Sequence, residues 1–200
     1  MKKTILLLIA IALISNLFCQ EAKDEKYRLI GVKGGVNITR IAYDGDNRDT
    51  NNRTGYFAGL FMLEQLGDNS LLGIDMLFSI KGDKSKTLDG SAITELRYLE
   101  LPVHAKYRIR SKHEKVEMQP FIGLSPAILL KGISEYEKKR TDITKEVELL
   151  DLGMNLGVDF VLQKRLILGV NYTKGLTNIF KNSIIGATNS TLSCNLNIVF

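Results

Sequence analysis

The sequence predicts an all-β fold: an eight-stranded antiparallel up-and-down transmembrane β-barrel, preceded by a cleaved signal peptide. Three observations predict it. Apolar and polar residues alternate with a period of two through most of the chain, which puts one greasy and one wet face on each strand. The connections between these segments are alternately short and long. The chain opens on an export signal.

That signal comes first. Lys2 and Lys3 precede an apolar run over residues 5–14, followed by Ser15, Asn16, Leu17, Phe18, Cys19 and Gln20. A charged start, an apolar middle and a cleavage region make a secretory signal peptide. The run falls short of the ~20 apolar residues a spanning helix needs. Residues 1–19 are therefore assigned to the signal, 20–26 to a short periplasmic segment and 27–200 to the barrel. Cys19 invites lipidation, but the bulky Phe18 before it argues against that processing. With the signal gone, Cys194 is the one remaining cysteine, so no internal disulfide forms. Removing Lys2 and Lys3 from 27 basic residues leaves 25 against 22 acidic ones, a net charge of +3. So mild an excess on an exported chain is no nucleic-acid signature.

The strands follow in order. Ile30, Val32, Gly34, Val36 and Ile38 alternate with Gly31, Lys33, Gly35, Asn37 and Thr39. Residues 54–66 (TGYFAGLFMLEQL) are apolar on both faces, which leaves their facing open. Leu72, Ile74, Met76, Phe78 and Ile80 form the third apolar face. Leu99, Leu101, Val103, Ala105, Tyr107 and Ile109 form the fourth. Residues 118–131 are a fifth strand, again of open facing. The sixth shows Leu150, Leu152, Met154, Leu156, Val158 and Phe160, and the seventh Leu166, Leu168, Val170 and Tyr172. The eighth, TLSCNLNIVF, alternates to Phe200. Short turns are expected near residues 67–70, 111–115 and 163–164, and long loops near 42–53, 82–94, 132–146 and 178–190. Short turns on one rim and long loops on the other are the layout of an outer-membrane barrel. An even strand number puts both chain ends on the periplasmic rim.

A soluble lipocalin-type barrel would also alternate, with its apolar face inward. Two features favour lipid outside. The polar faces are rich in Gly, Asn, Ser and Thr, and the six clearly patterned apolar faces carry no charge. An Arg or Lys on a lipid face near mid-membrane costs about 2–4 kcal/mol. In this topology Tyr107, Phe160 and Phe200 fall outward at the periplasmic rim, and Phe78 and Tyr172 outward at the opposite one. Those are the heights of aromatic girdles.

The inward positions gather charge: Lys33, Lys81, Arg97, Lys106 and Arg108 against Asp75, Glu100, Asp151 and Asp159, with His104 among them. An eight-stranded interior holds little beyond its own side chains, so these are expected to form a salt-bridged network rather than an open ion pathway. His104 and Glu100 share a face, and such a pair could orient a nucleophile. No serine stands at a useful spacing, so a lumenal histidine is expected. Asp44, Asp46 and Asp49 could hold Ca²⁺ through oxygen ligands, but they lack the EF-hand spacing. The charged run over residues 134–148 is expected to be a mobile solvated loop, whose Lys138, Lys139 and Arg140 could touch anionic headgroups. Pro102, Pro120 and Pro126 lack a ladder N–H. They predict a bulge or weakened seam between the fourth and fifth strands.

GVKGGVNITRI (31–41), GIDMLFSIKGDK (73–84) and LRYLELPVHAKYRI (96–109) resemble the PorT-like outer-membrane β-barrel proteins of the Bacteroidetes. PFIGLSPAILLKG (120–132), GVNYTKGLTNI (169–179) and the terminal Phe200 are similar to the same pattern. The resemblance covers nearly all of the mature chain. It implies an outer-membrane protein, often labelled porin-family, with a structural or accessory role and a link to protein secretion through the founding member. It brings no catalytic motif, so no enzyme, cofactor or metal is expected. The partners it implies are outer-membrane lipid, the barrel assembly machinery and secretion-system components, with no nucleic acid, for a monomeric chain. The rival readings are a small porin for ions or solutes, a lipid hydrolase and a periplasmic lipocalin-like binder.

Overall fold

The computed structural model describes residues 28–43, 50–87, 90–110, 116–137, 139–162, 165–181 and 186–200. Residues 1–27, which include the predicted signal peptide, the aspartates of 44–49, His113 and Lys138 lie outside these residues. The strands are β1 (Arg28–Tyr43), β2 (Thr50–Gln65), β3 (Ser70–Thr87), β4 (Gly90–Glu100), β5 (Val103–Tyr107), β6 (Ile109–Arg110), β7 (Val116–Tyr136), β8 (Lys139–Asp142), β9 (Leu150–Leu162), β10 (Leu166–Gly175) and β11 (Ala187–Val199). Segments β4, β5 and β6 share one place in the wall, between β3 and β7. Segment β8 is a short hairpin partner of β7. The remaining pairs run antiparallel in sequence order, and β1 closes against β11. The result is a ring of eight strands. Closure satisfies the backbone groups that an open edge would expose to lipid.

The register fixes the barrel's shape. Ile38 is paired with Leu192, and the paired residues continue through Tyr172, Leu156, Ile122, Ala105, Leu72 and Glu64 to Arg28. The circuit ends on β1 ten residues below its start. With eight strands, that stagger tilts them by about 40° and lowers each step round the wall by about 3 Å. On this slope Tyr56, Phe78 and Tyr172 are level near the loop rim. Tyr107, Phe160 and Phe200 are level near the turn rim, roughly 15–20 Å below. All six are exposed on the outer surface.

The burial pattern is inside-out. On β11, Thr191, Ser193, Asn195 and Asn197 are buried, while Leu192, Leu196 and Ile198 are exposed. The same inversion runs along β1, where Asn37 and Thr39 are buried and Val36 and Ile38 exposed. The two strands of open facing are also settled. On β2, Phe57, Phe61 and Leu63 point inward, and Tyr56 and Leu60 outward. On β7, Gln119, Phe121, Ser125, Ala127 and Leu129 are inward, and Ile122, Leu124 and Leu130 outward.

Two expectations about the connections are corrected. The loops are shorter than the polar composition suggests, because strands run into them. The β3–β4 ladder continues to Thr87 and Gly90, since polar residues pair as well as apolar ones once they stand clear of lipid. Segment 134–148 is not a free loop. Ile133, Ser134, Glu135 and Tyr136 pair with β8, and Ile143 and Val147 turn in and are buried.

The proline seam is also refined. The bulge between β4 and β7 falls between Arg97 and Tyr98, with Leu130 as the extra residue. It lies above the prolines. Pro102 falls in the break between β4 and β5, and its carbonyl accepts from Asp75 N at 2.9 Å. The Pro126 carbonyl accepts from Leu101 N at 2.9 Å. Neither proline can return a bond, so one bond is missing from each of two seams, β3–β5 and β4–β7.

Candidate functional site

The site is the barrel's interior, stacked in three layers. Nearest the turn rim, Phe61, Val161 and Ile167 form an apolar cluster with Val199 against it. Nearest the loop rim, Ile41, Leu96, Tyr98, Ala127, Leu129, Ile143, Val147, Ile179 and Ala187 form a second one. The polar network fills the space between them and extends into both, since Glu117 is the cross-strand partner of Val161 and Asp151 that of Ala127.

The network starts at Lys33 on β1. Its cross-strand partner on β2 is Gly59, so no side chain stands between Lys33 and β3. Lys33 Nζ reaches Asp75 Oδ2 at 2.7 Å. His104 Nδ1 lies 4.0 Å from the same oxygen, and Asn155 Nδ2 donates to His104 Nε2 at 3.1 Å. Lys106 pairs with Asp159 and lies 4.7 Å from the centroid of the Phe121 ring. Lys81 pairs with Glu100 at 2.9 Å, and Ser125 Oγ donates to Glu100 at 3.2 Å. Arg108 pairs with Glu117 at 3.1 Å. Asp151 accepts from Asn189 Nδ2 and from Thr177 Oγ1, each at 2.7 Å. Asn37 bridges two walls: its amide donates to Ser79 Oγ at 3.0 Å, and its oxygen accepts from Ser193 Oγ at 2.7 Å. Buried charges persist only when paired and hydrogen-bonded.

Lys33, Asp75, Lys81, Glu100, His104, Lys106, Arg108, Asp151 and Asp159 are thus all buried inside. Arg97 is not, and its placement is a correction. It shares the parity of Leu99 and Leu101, so it projects outward, with its side chain 40% exposed against Glu95. The His104–Glu100 pair is likewise absent. Four residues along a strand are about 13 Å apart, and Glu100 is taken up by Lys81 and Ser125. Six buried lumenal partners carry no charge and escaped a reading by charge: Asn37, Ser79, Ser125, Asn155, Asn189 and Ser193. Their signal was strand parity. Among the described residues, Glu117, which pairs with Arg108, and the buried Asp83 were charged residues overlooked.

Over the upper cluster two connections form a lid, which contributes Ile143, Val147 and Ile179 to it. Glu148 N donates to Ile179 O at 2.7 Å, Lys181 N to Glu146 O at 2.9 Å, and Ile143 N to Gly132 O at 3.0 Å. Val147 and Phe180 form a β-bridge across the mouth. The cavity left in the polar layer is about 30 Å³, room for about one water.

Above the membrane span, Arg53 and Arg97 converge on Glu95 from outside the wall. Partial burial pushes the Glu95 carboxyl up, but bonds and charge from Arg97 and Arg53 outweigh it and hold the group below its ordinary value. Asp142, at the lid's edge, is held low by the side-chain and backbone bonds of Thr144.

An apolar belt outside, a salt-bridged polar filling inside and a closed antiparallel wall define an integral outer-membrane β-barrel protein. The chain belongs to the family described as Outer membrane protein beta-barrel domain, whose model matches residues 18–181. No curated protein matches it. Among solved structures it is similar to Neisserial surface protein A, at 11% identity and a TM-score of 0.52, over 86% of this chain and 97% of that one. It is also similar to Ail, the attachment invasion locus protein of Yersinia pestis, at 12% identity and 0.49, over 86% and 98%. OprG from Pseudomonas aeruginosa aligns at 13% and 0.46, over 90% and 97%. At such identities the likeness to Neisserial surface protein A speaks to fold alone. The protein resides in the outer membrane.

Proposed function

We propose that this barrel has a structural or accessory role in the outer membrane, in support of protein secretion, and is neither a channel nor an enzyme. The observation that carries the first part is the filling of the lumen. Apolar clusters toward both ends and a paired polar network fill it, and the cavity left is about 30 Å³. A porin needs a continuous water path, and side chains occupy it here. The link to secretion rests on the PorT-like resemblance of the YLELP segment and its neighbours. On that reading its partners are secretion-system components, with the barrel assembly machinery acting on the chain beforehand. Against catalysis stands the enclosure of His104, which is buried inside the barrel and bonds Asn155.

Planar-bilayer recording on the refolded mature chain tests the first part. No steady unitary current is expected, and a stable open level would refute it. Deleting the gene and measuring export of secreted proteins to the cell surface tests the second. Unchanged export would leave a purely structural role.

A further inference from the structure

The outer wall carries a groove that the filled lumen does not explain. It has a volume of about 390 Å³ and lies on the outward face of β3, β4, β7 and β8, reached from β2 by Arg53. Four cations line it, Arg53, Lys84, Arg97 and Arg140, with two carboxylates, Glu95 and Glu135. The surplus is two positive charges. The carboxylates orient the guanidiniums: Glu95 holds Arg53 and Arg97, the latter at 2.8 Å, and Glu135 holds Arg140 at 2.9 Å. Gly82, the cross-strand partner of Glu95, presents no side chain to the outer face between Arg53 and Glu95. Its φ of 143° suits glycine. Arg97 and Arg140 keep 40% and 74% of their side chains exposed, with fork N–H groups left over.

The height of the groove selects its occupant. Leu99, two residues below Arg97, is the partner of Phe78 in the upper aromatic belt. Arg97 itself pairs with Lys131 across the seam. Hydrocarbon therefore ends at the belt, and the groove opens sideways at the level of the headgroups. We infer that this groove binds the phosphate-bearing headgroup of an anionic outer-leaflet lipid. Guanidinium forks match phosphate bidentately, and the acyl chains would lie down the apolar wall over Leu99, Phe78 and Leu130. The inference rests on the outer-membrane placement and not on the secretion role.

The test uses the refolded mature chain in dodecyl maltoside, a detergent without phosphate. Dihexanoyl phosphatidic acid is titrated while the arginine side-chain N–H resonances are followed, with inorganic phosphate as the second arm. Saturable one-to-one binding is expected, centred on Arg97 and Arg140, weakened about tenfold or more in Arg97→Gln and weakened again by salt. Should Arg97→Gln fail to fold, Arg140→Gln at its exposed site gives the same readout. Absence of saturable binding, or binding unchanged in both variants, would overturn the proposal. Equal affinity for inorganic phosphate would also overturn it, by assigning the groove to a free anion.

Discussion

Lys33 and Asp75 meet at 2.7 Å although their strands are not neighbours. The strand between them contributes Gly59 at that level, and the missing side chain lets the ion pair span it. Removing one partner strands the other in a buried site, at a cost of about 3–5 kcal/mol. Asp75→Ala should therefore destabilise the barrel by about 3 kcal/mol or more in urea unfolding from lipid vesicles. The double variant Lys33→Met/Asp75→Leu should recover at least half of the loss. A double variant as unstable as the single one would show that the pair is not the unit.

The outer face should reject charge where the inner one accepts it. Leu156 is exposed and lies about midway between the two aromatic belts. Leu156→Arg should cost about 2–4 kcal/mol in vesicles and cost markedly less in a thin-chain detergent. An equal penalty in both media would argue that this face does not meet hydrocarbon.

The lid should come away as a unit. Ile143→Asp puts an unpaired charge into an apolar cluster, so the segment should leave the mouth rather than accept it. Amide exchange should quicken together at Ile143, Glu148 and Lys181, whose N–H groups hold the lid. Exchange in β1 and β11 should stay slow. Quickening confined to Ile143 would mean that the two connections are not coupled.

Acid should loosen the outer groove. The folded Glu95 carboxyl titrates below its ordinary value, so its bonds to Arg53 and Arg97 are fully present above the unfolded value. They are lost as the pH falls through the lowered folded one. Arg97→Gln should move the Glu95 side-chain carboxyl titration, followed by carbon NMR, toward higher pH. No movement would leave Arg53 as the sole partner that matters.

The eight strands were legible because lipid outside and a narrow polar interior impose parity on every residue between them. The same parity placed Lys33, Asp75 and Lys106 inside. Arg97 was lost where charge was weighed above parity: counted from Leu99, it belongs outside. Tyr56 could not be placed in the upper belt, because Phe57, Phe61 and Leu63 make the inner face of β2 as apolar as the outer. The lid left the weakest trace. Ile143 and Val147 are isolated apolar residues in a charged run, and only the closed wall gives them somewhere to go. Arg53 carries no local hint of Glu95, which meets it through the fold.

The stacked lumen has one more consequence. On the proposed reading, a lumen filled by its own side chains makes the molecule an insulator. It would then hold a foothold across the membrane and display its outer wall without opening a solute path through its middle.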